Sequence, residues 1–435
     1  MTSAVPARRT PKIAMVVSRF PKVTETFQLR EMLTLEKMGV DLELYAIVHM
    51  PDEGLQDDTA SLDRRANYLR FASFEVLRAQ LVWLRRNPSA YLRAWKWGIW
   101  THRRAPDFLI RTFMLVPLAA AMALRMEAQG VEHVHAHYAT YPTHIAMVIA
   151  QLTGLSYSFT GHAHDLRLRV DGLRDKMDGA EFYFCCTEFS AEDLRQQFGA
   201  VAEKGIVVHH GVDLEKFAFT PIPDRDDDQL RLVMVASFEE CKGHAYLINA
   251  VQILADRGVD TTVTLVGGNL ANGHDYQSEM RELARELGVE DRFDFVGKQP
   301  SHEVQRLIAE SDMGCLPCCR TAAGNMDGLP NFLTECLAVG RPVVSTDLPG
   351  VQELVTSGVQ GLLVRSRDEV ALADALEELH RDRPRREQMS LAGRAHVEHH
   401  ENLAVNTAVL YQTYLDRVGR PLGIDTQPPP PHSNV

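Results

Sequence analysis

A chain of 435 residues exceeds the comfortable size of one hydrophobic core, so two domains are expected. Its 45% hydrophobic and 24% charged content fits an ordinary globular protein, and 46 basic against 58 acidic residues leave a net charge of −12, which argues against a general nucleic-acid binder. The opening MTSAVPARRT is polar and lacks the apolar core of a signal peptide, and the apolar stretch 113–124 reads as too short to span a bilayer. A cytoplasmic protein is therefore expected, with a peripheral place on the inner face of the cytoplasmic membrane open to it. The seven cysteines, among them Cys185-Cys186 and Cys315-x2-Cys318-Cys319, lack the second ligand pair of a zinc site and lie mostly in apolar runs, so they read as buried thiols.

In chain order, Lys12–Val17 is an apolar run and reads as the first buried strand. A loop from Ser18 and Arg19 to Phe27 follows, with Thr24 as candidate cap of a helix that ends at Gly39, and Leu42–Val48 is the second strand. Residues 75–111 differ from the rest: all four tryptophans (Trp83, Trp95, Trp97, Trp100) fall here, and eight basic against two acidic side chains leave the segment at +6. Trp and Arg on helical segments suit an anionic membrane surface; the other reading is a helical insertion with tryptophans turned inward and arginines in water. Strands are expected at Glu132–Ala136, Leu155–Thr160, Glu181–Cys186 and Gly205–His209, with helices at Pro142–Leu152 and Ser190–Gln197. His133-x-His135-x-His137 places alternate imidazoles on one face, and His162-x-His164-Asp165 forms a second patch. Both have metal-ligand chemistry, but the sequence shows no carboxylate or third His that completes a set, which leaves a metal-dependent hydrolase as an alternative reading.

The run PIPDRDDD (221–228) is proline-rich and acidic and reads as a linker. Beyond it, strands at Leu232–Ala236, Thr262–Val266, Arg292–Val296, Met313–Pro317, Pro342–Thr346 and Gly358–Val364 alternate with helical patterns, one of them capped by Ser301. This alternation implies a parallel sheet. Leu403–Val418 is a last amphipathic helix and PLGIDTQPPPPHSNV a disordered tail. The chemistry centres on Gly324–Val355. A polar loop, Asp327-Gly328-Leu329-Pro330, feeds into a helix beginning at Asn331 and Phe332 and stopped by Gly340; its free amides and positive dipole end suit a phosphate. Asp327 and Glu335, with seven residues between them, are repelled by phosphate but accept hydrogen bonds from sugar hydroxyls, the groups that flank phosphate in a nucleotide sugar.

This stretch resembles the donor-site signature of family-four retaining glycosyltransferases: two acids spaced by seven, with Gly-Leu-Pro after the first. The Ser-Arg and Thr-Glu-Thr-Phe loop resembles the colanic-acid and exopolysaccharide type. The resemblance runs from about Ile13 to Tyr414 and is weakest over 55–115. It implies the GT-B fold, two Rossmann-like parallel-sheet domains facing across a cleft, with a C-terminal helix crossing back to the first. The implied boundaries are a disordered 1–10, an acceptor domain 11–218 with a basic insertion 75–128, a linker 219–229, a nucleotide-sugar domain 230–400, a crossover helix 401–419 and a disordered tail 420–435.

It further implies that Lys242 and Ser237, with the amides at Asn331 and Phe332, hold the donor diphosphate; Ser237 stands where the family has Arg, and Arg320 or Arg19 is a candidate substitute. Gly297 and Lys298 form the base loop, Glu335 grips the ribose, and Asp327 with Gly328, Leu329 and Pro330 grips the sugar. His162, in Thr160-Gly161-His162-Ala163-His164-Asp165, lines the cleft near the transferred sugar, with Ser18, Arg19 and Asp165 on the acceptor side. His210 replaces the usual Asn in His210-Gly211-Val212-Asp213. The implied activity is metal-independent hexosyl transfer from a UDP- or GDP-sugar, with no cofactor, to a lipid-linked saccharide. A sugar-nucleotide epimerase on the same fold and a non-catalytic sugar-nucleotide binder compete with that activity.

Overall fold

The computed structural model describes residues 8–22, 25–50, 59–168, 170–270 and 273–421. The proposed cap Thr24 and the tail beyond 421 lie outside them. The chain divides into two compact units: the first takes the chain through Cys185, Ala191–Val208 and everything from Thr407, and the second takes Cys186–Ser190 and His209–Asn406.

The N-terminal unit carries β1 (Arg8–Arg9), β2 (Ile13–Phe20), β3 (Leu42–His49), β4 (Asn67–Tyr68), β5 (His133–His137), β6 (Ser156–Gly161), β7 (Phe182–Cys185) and β8 (Gly205–Val207). Seven of them form one parallel sheet in the order β4-β3-β2-β5-β6-β7-β8. The near-continuous apolar character of β2 follows from burial on both faces: Ala14 and Val16 pack with the helices of one face, and Ile13, Met15 and Val17 with Leu29, Met32 and Tyr414 on the other. Arg8–Arg9, expected within a disordered terminus, instead pairs antiparallel with Arg420–Pro421.

The helices Phe74–Arg86, Pro88–His102 and Pro106–Ala128 form the basic insertion. The last corrects the reading of 113–124 as too short. It runs 23 residues through Pro117, and by length and composition alone it could cross a membrane, although 56% of its most apolar window is buried inside the protein. Three of the tryptophans pack inward. Trp83 is buried and donates Nε1–H to the Ala120 carbonyl at 2.8 Å, Trp97 donates to Asp175 at 2.7 Å, and Trp95 lies against Phe113 with ring centroids 5.5 Å apart. The fourth, Trp100, stands out at 66% exposed, beneath the Arg103 guanidinium at 4.2 Å.

The C-terminal unit carries β9 (Leu230–Val235), β10 (Thr261–Val266), β11 (Phe293–Gly297), β12 (Met313–Leu316), β13 (Val343–Thr346) and β14 (Gly361–Val364), all parallel, in the order β11-β10-β9-β12-β13-β14; the chain's last strand, β15, is Arg420–Pro421. The sheet therefore starts in its middle and reverses direction between β9 and β12. A crevice opens beyond the carboxyl ends of two such strands, and this is where open α/β sheets bind ligands. The stretch read as a linker is fixed to this unit: the buried Arg341 donates to the carbonyls of Thr220 at 2.7 Å and Pro221 at 3.2 Å. One local expectation needs correction: Pro300, not Ser301, occupies the cap position of the helix Ser301–Glu310. All seven cysteines are free and buried.

Candidate active site

The switch point of the C-terminal sheet is built by two loops pressed together. After β9 the chain makes a 3-10 turn, Glu240–Lys242, closed by Gly243 at φ +80°. A Cβ at Gly243 would stand 1.8 Å from the Pro317 carbonyl oxygen in the loop after β12, so only glycine permits this approach. The Cys319 amide donates to the Cys241 carbonyl at 2.9 Å, tying the loops again. This juxtaposition brings together Lys242 and Asp327, 85 residues apart, with Nζ donating to Oδ2 at 2.6 Å and both side chains 18% exposed. Burial pulls the ammonium pKa down, but the Asp327 carboxylate outweighs it and, with Cys241 and Glu239, holds Lys242 well above its ordinary value. Cys318, its thiol raised by burial, also donates to Asp327 Oδ2 at 3.5 Å.

Four residues beyond Asp327, the helix Asn331–Val339 starts behind Pro330 with no side-chain cap and stops at Gly340 in the left-handed conformation. Its first amides, at Asn331 and Phe332, have no acceptor inside the helix. The Gly328-Leu329-Pro330 loop is braced from below, because a Cβ on Gly350 would meet the Gly328 carbonyl at 1.7 Å. Glu335 lies one turn into the helix, 7% exposed. Ser237 departs from its expected role in this arrangement: its hydroxyl proton goes to Glu239 at 2.6 Å, so it offers a phosphate no donor. Arg320 is exposed early in the loop after β12, and Arg19 belongs to the other unit. Gly297 ends β11 at φ +74°, its carbonyl accepts from the Gly267 amide at 2.9 Å, and the Lys298 side chain lies over Gly268.

In the N-terminal unit, His162 caps a short helix, Ala163–Arg167, in a reciprocal box with Asp165. Asp165 is buried, and its carboxylate accepts the His162 amide at 2.7 Å and the Ala139 amide at 2.5 Å. It therefore positions the loop instead of facing an acceptor. Burial raises its pKa to about 7. Lys176, fully buried and lowered to about 8 by burial, donates to the carbonyls of Ala139 at 2.7 Å and Thr140 at 3.2 Å from beneath the same loop. Sequence reading missed Lys176; its place between Leu173 and Met177 on an apolar helix face was the available signal. Phe27 and Tyr138 flank the His162 ring at 5.0 and 4.4 Å. Ser18 and Arg19, expected to open a loop, lie within β2 just before its last residue Phe20, with Arg19 exposed.

Residues 216–396 match the family described as Glycosyl transferases group 1, and residues 35–216 match Glycosyltransferase Family 4. The amylovoran biosynthesis glycosyltransferase AmsK of Erwinia amylovora is 34% identical over 200 residues, covering 46% of this chain and 48% of that protein. The putative colanic acid biosynthesis glycosyltransferase WcaL of Escherichia coli K12 is 34% identical over 181 residues, 42% of this chain and 43% of that protein. The chain spans about half the length of these curated relatives. Among solved structures, HepE of Anabaena in complex with UDP and glucose superposes with a TM-score of 0.70 at 16% identity, covering 93% of this chain and 99% of that one. Sucrose-phosphate synthase of Thermosynechococcus elongatus gives 0.68 at 15% identity, with 93% and 98% covered.

Two parallel Rossmann-like sheets of this order, matched by both halves of the chain, define a protein of the GT-B glycosyltransferase fold. Within that class the chain is related to the family-four glycosyltransferases and similar to the colanic-acid and amylovoran biosynthesis proteins.

Proposed function

We propose that this protein is a retaining hexosyltransferase that moves a sugar from a nucleoside-diphosphate donor to a lipid-linked saccharide during exopolysaccharide assembly. The observation that carries the reading is the Lys242–Asp327 pair at the switch point, four residues ahead of an uncapped helix. The bond that breaks joins the anomeric carbon to the diphosphate oxygen. The leaving group keeps the electron pair, and the acceptor hydroxyl oxygen forms the new C–O bond and gives its proton to the departing diphosphate oxygen. Negative charge grows on the diphosphate, where the Lys242 ammonium and the amides at Asn331 and Phe332 oppose it without reorganising.

In this reading Asp327 exchanges its bond to Lys242 for sugar hydroxyls when phosphate arrives, Glu335 takes the ribose hydroxyls, and the loop at Gly297 and Lys298 takes the base. Ser237 contributes only if Glu239 releases its hydroxyl. The N-terminal unit is assigned the acceptor, with His162 directed to the transferred sugar and Ser18 and Arg19 to the acceptor. The relatives named for amylovoran and colanic acid biosynthesis support the pathway, and HepE, solved with UDP and glucose, supports a uridine donor. A cytoplasmic place at the inner membrane face follows if the acceptor is lipid-linked.

The test is calorimetric titration with UDP-, GDP- and ADP-sugars, followed by assignment of the product's anomeric configuration by NMR. Binding of a UDP- or GDP-sugar and retention of configuration support the reading. An inverted product removes the retaining mechanism, and a donor released as a free epimer with no transfer points to an epimerase.

A further inference from the structure

The polar groups in the core of the N-terminal unit are not all accounted for by the sugar-transfer reading. His133, His135 and His137 project from one face of β5, all fully buried. The adjacent β6 presents Ser156, Ser158 and Thr160 on that face. His133 is satisfied by it: Nδ1 lies 2.8 Å from Ser156 Oγ and Nε2 2.7 Å from Ser158 Oγ. His135 Nδ1 lies 2.8 Å from Ser158 Oγ, and its Nε2 is 3.0 Å from Thr160 Oγ1.

His137 differs. Neither ring nitrogen has a hydrogen-bond partner among the described residues, and Glu31 Oε1, 7% exposed on the helix Thr26–Lys37, is likewise unsatisfied. The two face each other, with His137 Nε2 3.3 Å from Glu31 Oε1. That is longer than a charge-assisted hydrogen bond of about 2.7–2.9 Å. It matches the edge, about 3.3 Å, of a tetrahedron with metal–ligand bonds of about 2.0–2.1 Å. One ligand atom each from Glu31, His135 and His137 lies within 4.8 Å of the other two. This is the carboxylate that the sequence did not show: it lies on a helix far from the histidines in the chain.

We infer that Glu31, His135 and His137 form a divalent-cation site of the zinc class. Two imidazoles and one carboxylate are a donor set that zinc accepts. Donation from His135 Nδ1 to Ser158 fixes the tautomer, as outer-shell partners of metal-bound histidines do, and the Nε2 lone pair becomes the ligating atom when the Thr160 hydroxyl, now 3.0 Å away, turns from it to the ion. Tyr414, whose buried Oη has no hydrogen-bond partner among the described residues, packs its ring 5.7 Å from that of His135. With all three ligands buried, the ion is structural: it ties the helix Thr26–Lys37 to the middle of the sheet and gives the histidine face the charge partner it lacks.

The experiment uses the full chain, stripped with chelator and dialysed, then titrated separately with Zn²⁺ and Co²⁺ alone. One equivalent is expected to bind, with a tetrahedral cobalt spectrum lacking thiolate charge-transfer bands, and zinc at a hundredfold excess over its dissociation constant should raise the melting temperature by about 5–10 °C. Glu31→Gln and His137→Gln should each lose the cobalt signal and the thermal shift, while His133→Gln keeps both. If either ligand variant fails to fold, titration of the stripped wild-type chain decides. Binding of neither ion, a thiolate-type cobalt spectrum, or unchanged uptake by both ligand variants overturns the assignment.

Discussion

At the residue scale, the candidate donor site is a matter of which charges face each other. Lys242 is held at the switch point by Asp327 and kept protonated by it, so in the proposed reading the cation is in place before a diphosphate binds. A preorganised donor aimed at developing negative charge typically contributes two to three orders of magnitude in rate. Lys242→Met is therefore expected to lower kcat by about a hundredfold or more, and Glu335→Ala to lower transfer at least tenfold, about 1.4 kcal/mol, with an unchanged circular dichroism spectrum. Near-normal turnover in Glu335→Ala removes that carboxylate from the site. The proposed roles of the two acids could be suggested from sequence because the acids, the Gly-Leu-Pro turn and the helix sit within one short stretch. The commitments of Ser237 to Glu239 and of Asp165 to two amides were not legible, since a sequence names hydrogen-bonding groups without saying which ones are already used.

At the scale of elements, the basic insertion separates into two faces. Trp83, Val76 and Ala79 turn into the core, whereas Phe74, Leu77, Leu81, Leu92, Trp100 and Ile110 are all at least 55% exposed. Among them stand the exposed Arg85, Arg93, Lys96, Arg103 and Arg104. Large apolar side chains interleaved with cations fit an anionic bilayer surface better than water alone. The protein is expected to pellet with anionic but not neutral vesicles, and an Arg103→Ala, Arg104→Ala double variant to lose most of that binding; equal pelleting by the variant sinks the membrane assignment. Most strands and the helix Leu403–Val418 were readable from apolar runs and 3.6-residue periodicity, because those signals are local. The length of Pro106–Ala128 was not: its flanking Arg111 and Arg125 break the apolar run without ending the helix, since a charged side chain can leave a helix for water. Glu31 escaped notice because its partners lie on a strand about a hundred residues further along the chain.

At the scale of the whole molecule, each unit depends on charges brought together from distant parts of the chain. In the C-terminal unit His209 lies between two carboxylates, Nδ1 2.7 Å from Glu401 Oε1 and Nε2 3.4 Å from Glu353 Oε2. Glu353 also accepts the amides of Glu188 and Phe189 at 2.8 Å each. Burial works against an imidazolium here, but the two carboxylates overcome it and raise the pKa from 6.5 to about 10. A folded-state pKa above the unfolded one gives a stabilisation that is complete below pH 6.5 and fades as pH rises through 10. The stability difference between wild type and His209→Gln should therefore be largest near pH 6 and shrink steadily above it, as read from melts across that range; a pH-independent difference rules out the charge as its source.

The N-terminal unit takes its last pieces from the far end of the chain. Tyr414 seats its ring 6.0 Å from that of His133 and 5.8 Å from that of Phe182, and Arg420–Pro421 supplies the partner for Arg8–Arg9. During synthesis on the ribosome, this unit begins first and finishes last. Its histidine-lined face, covered early by the helix Thr26–Lys37, must wait for Tyr414 while some two hundred residues of the C-terminal unit emerge. A chain stopped just before Thr407 would hold nearly the whole C-terminal unit and leave the N-terminal unit, which comes earlier in the sequence, without its closing piece.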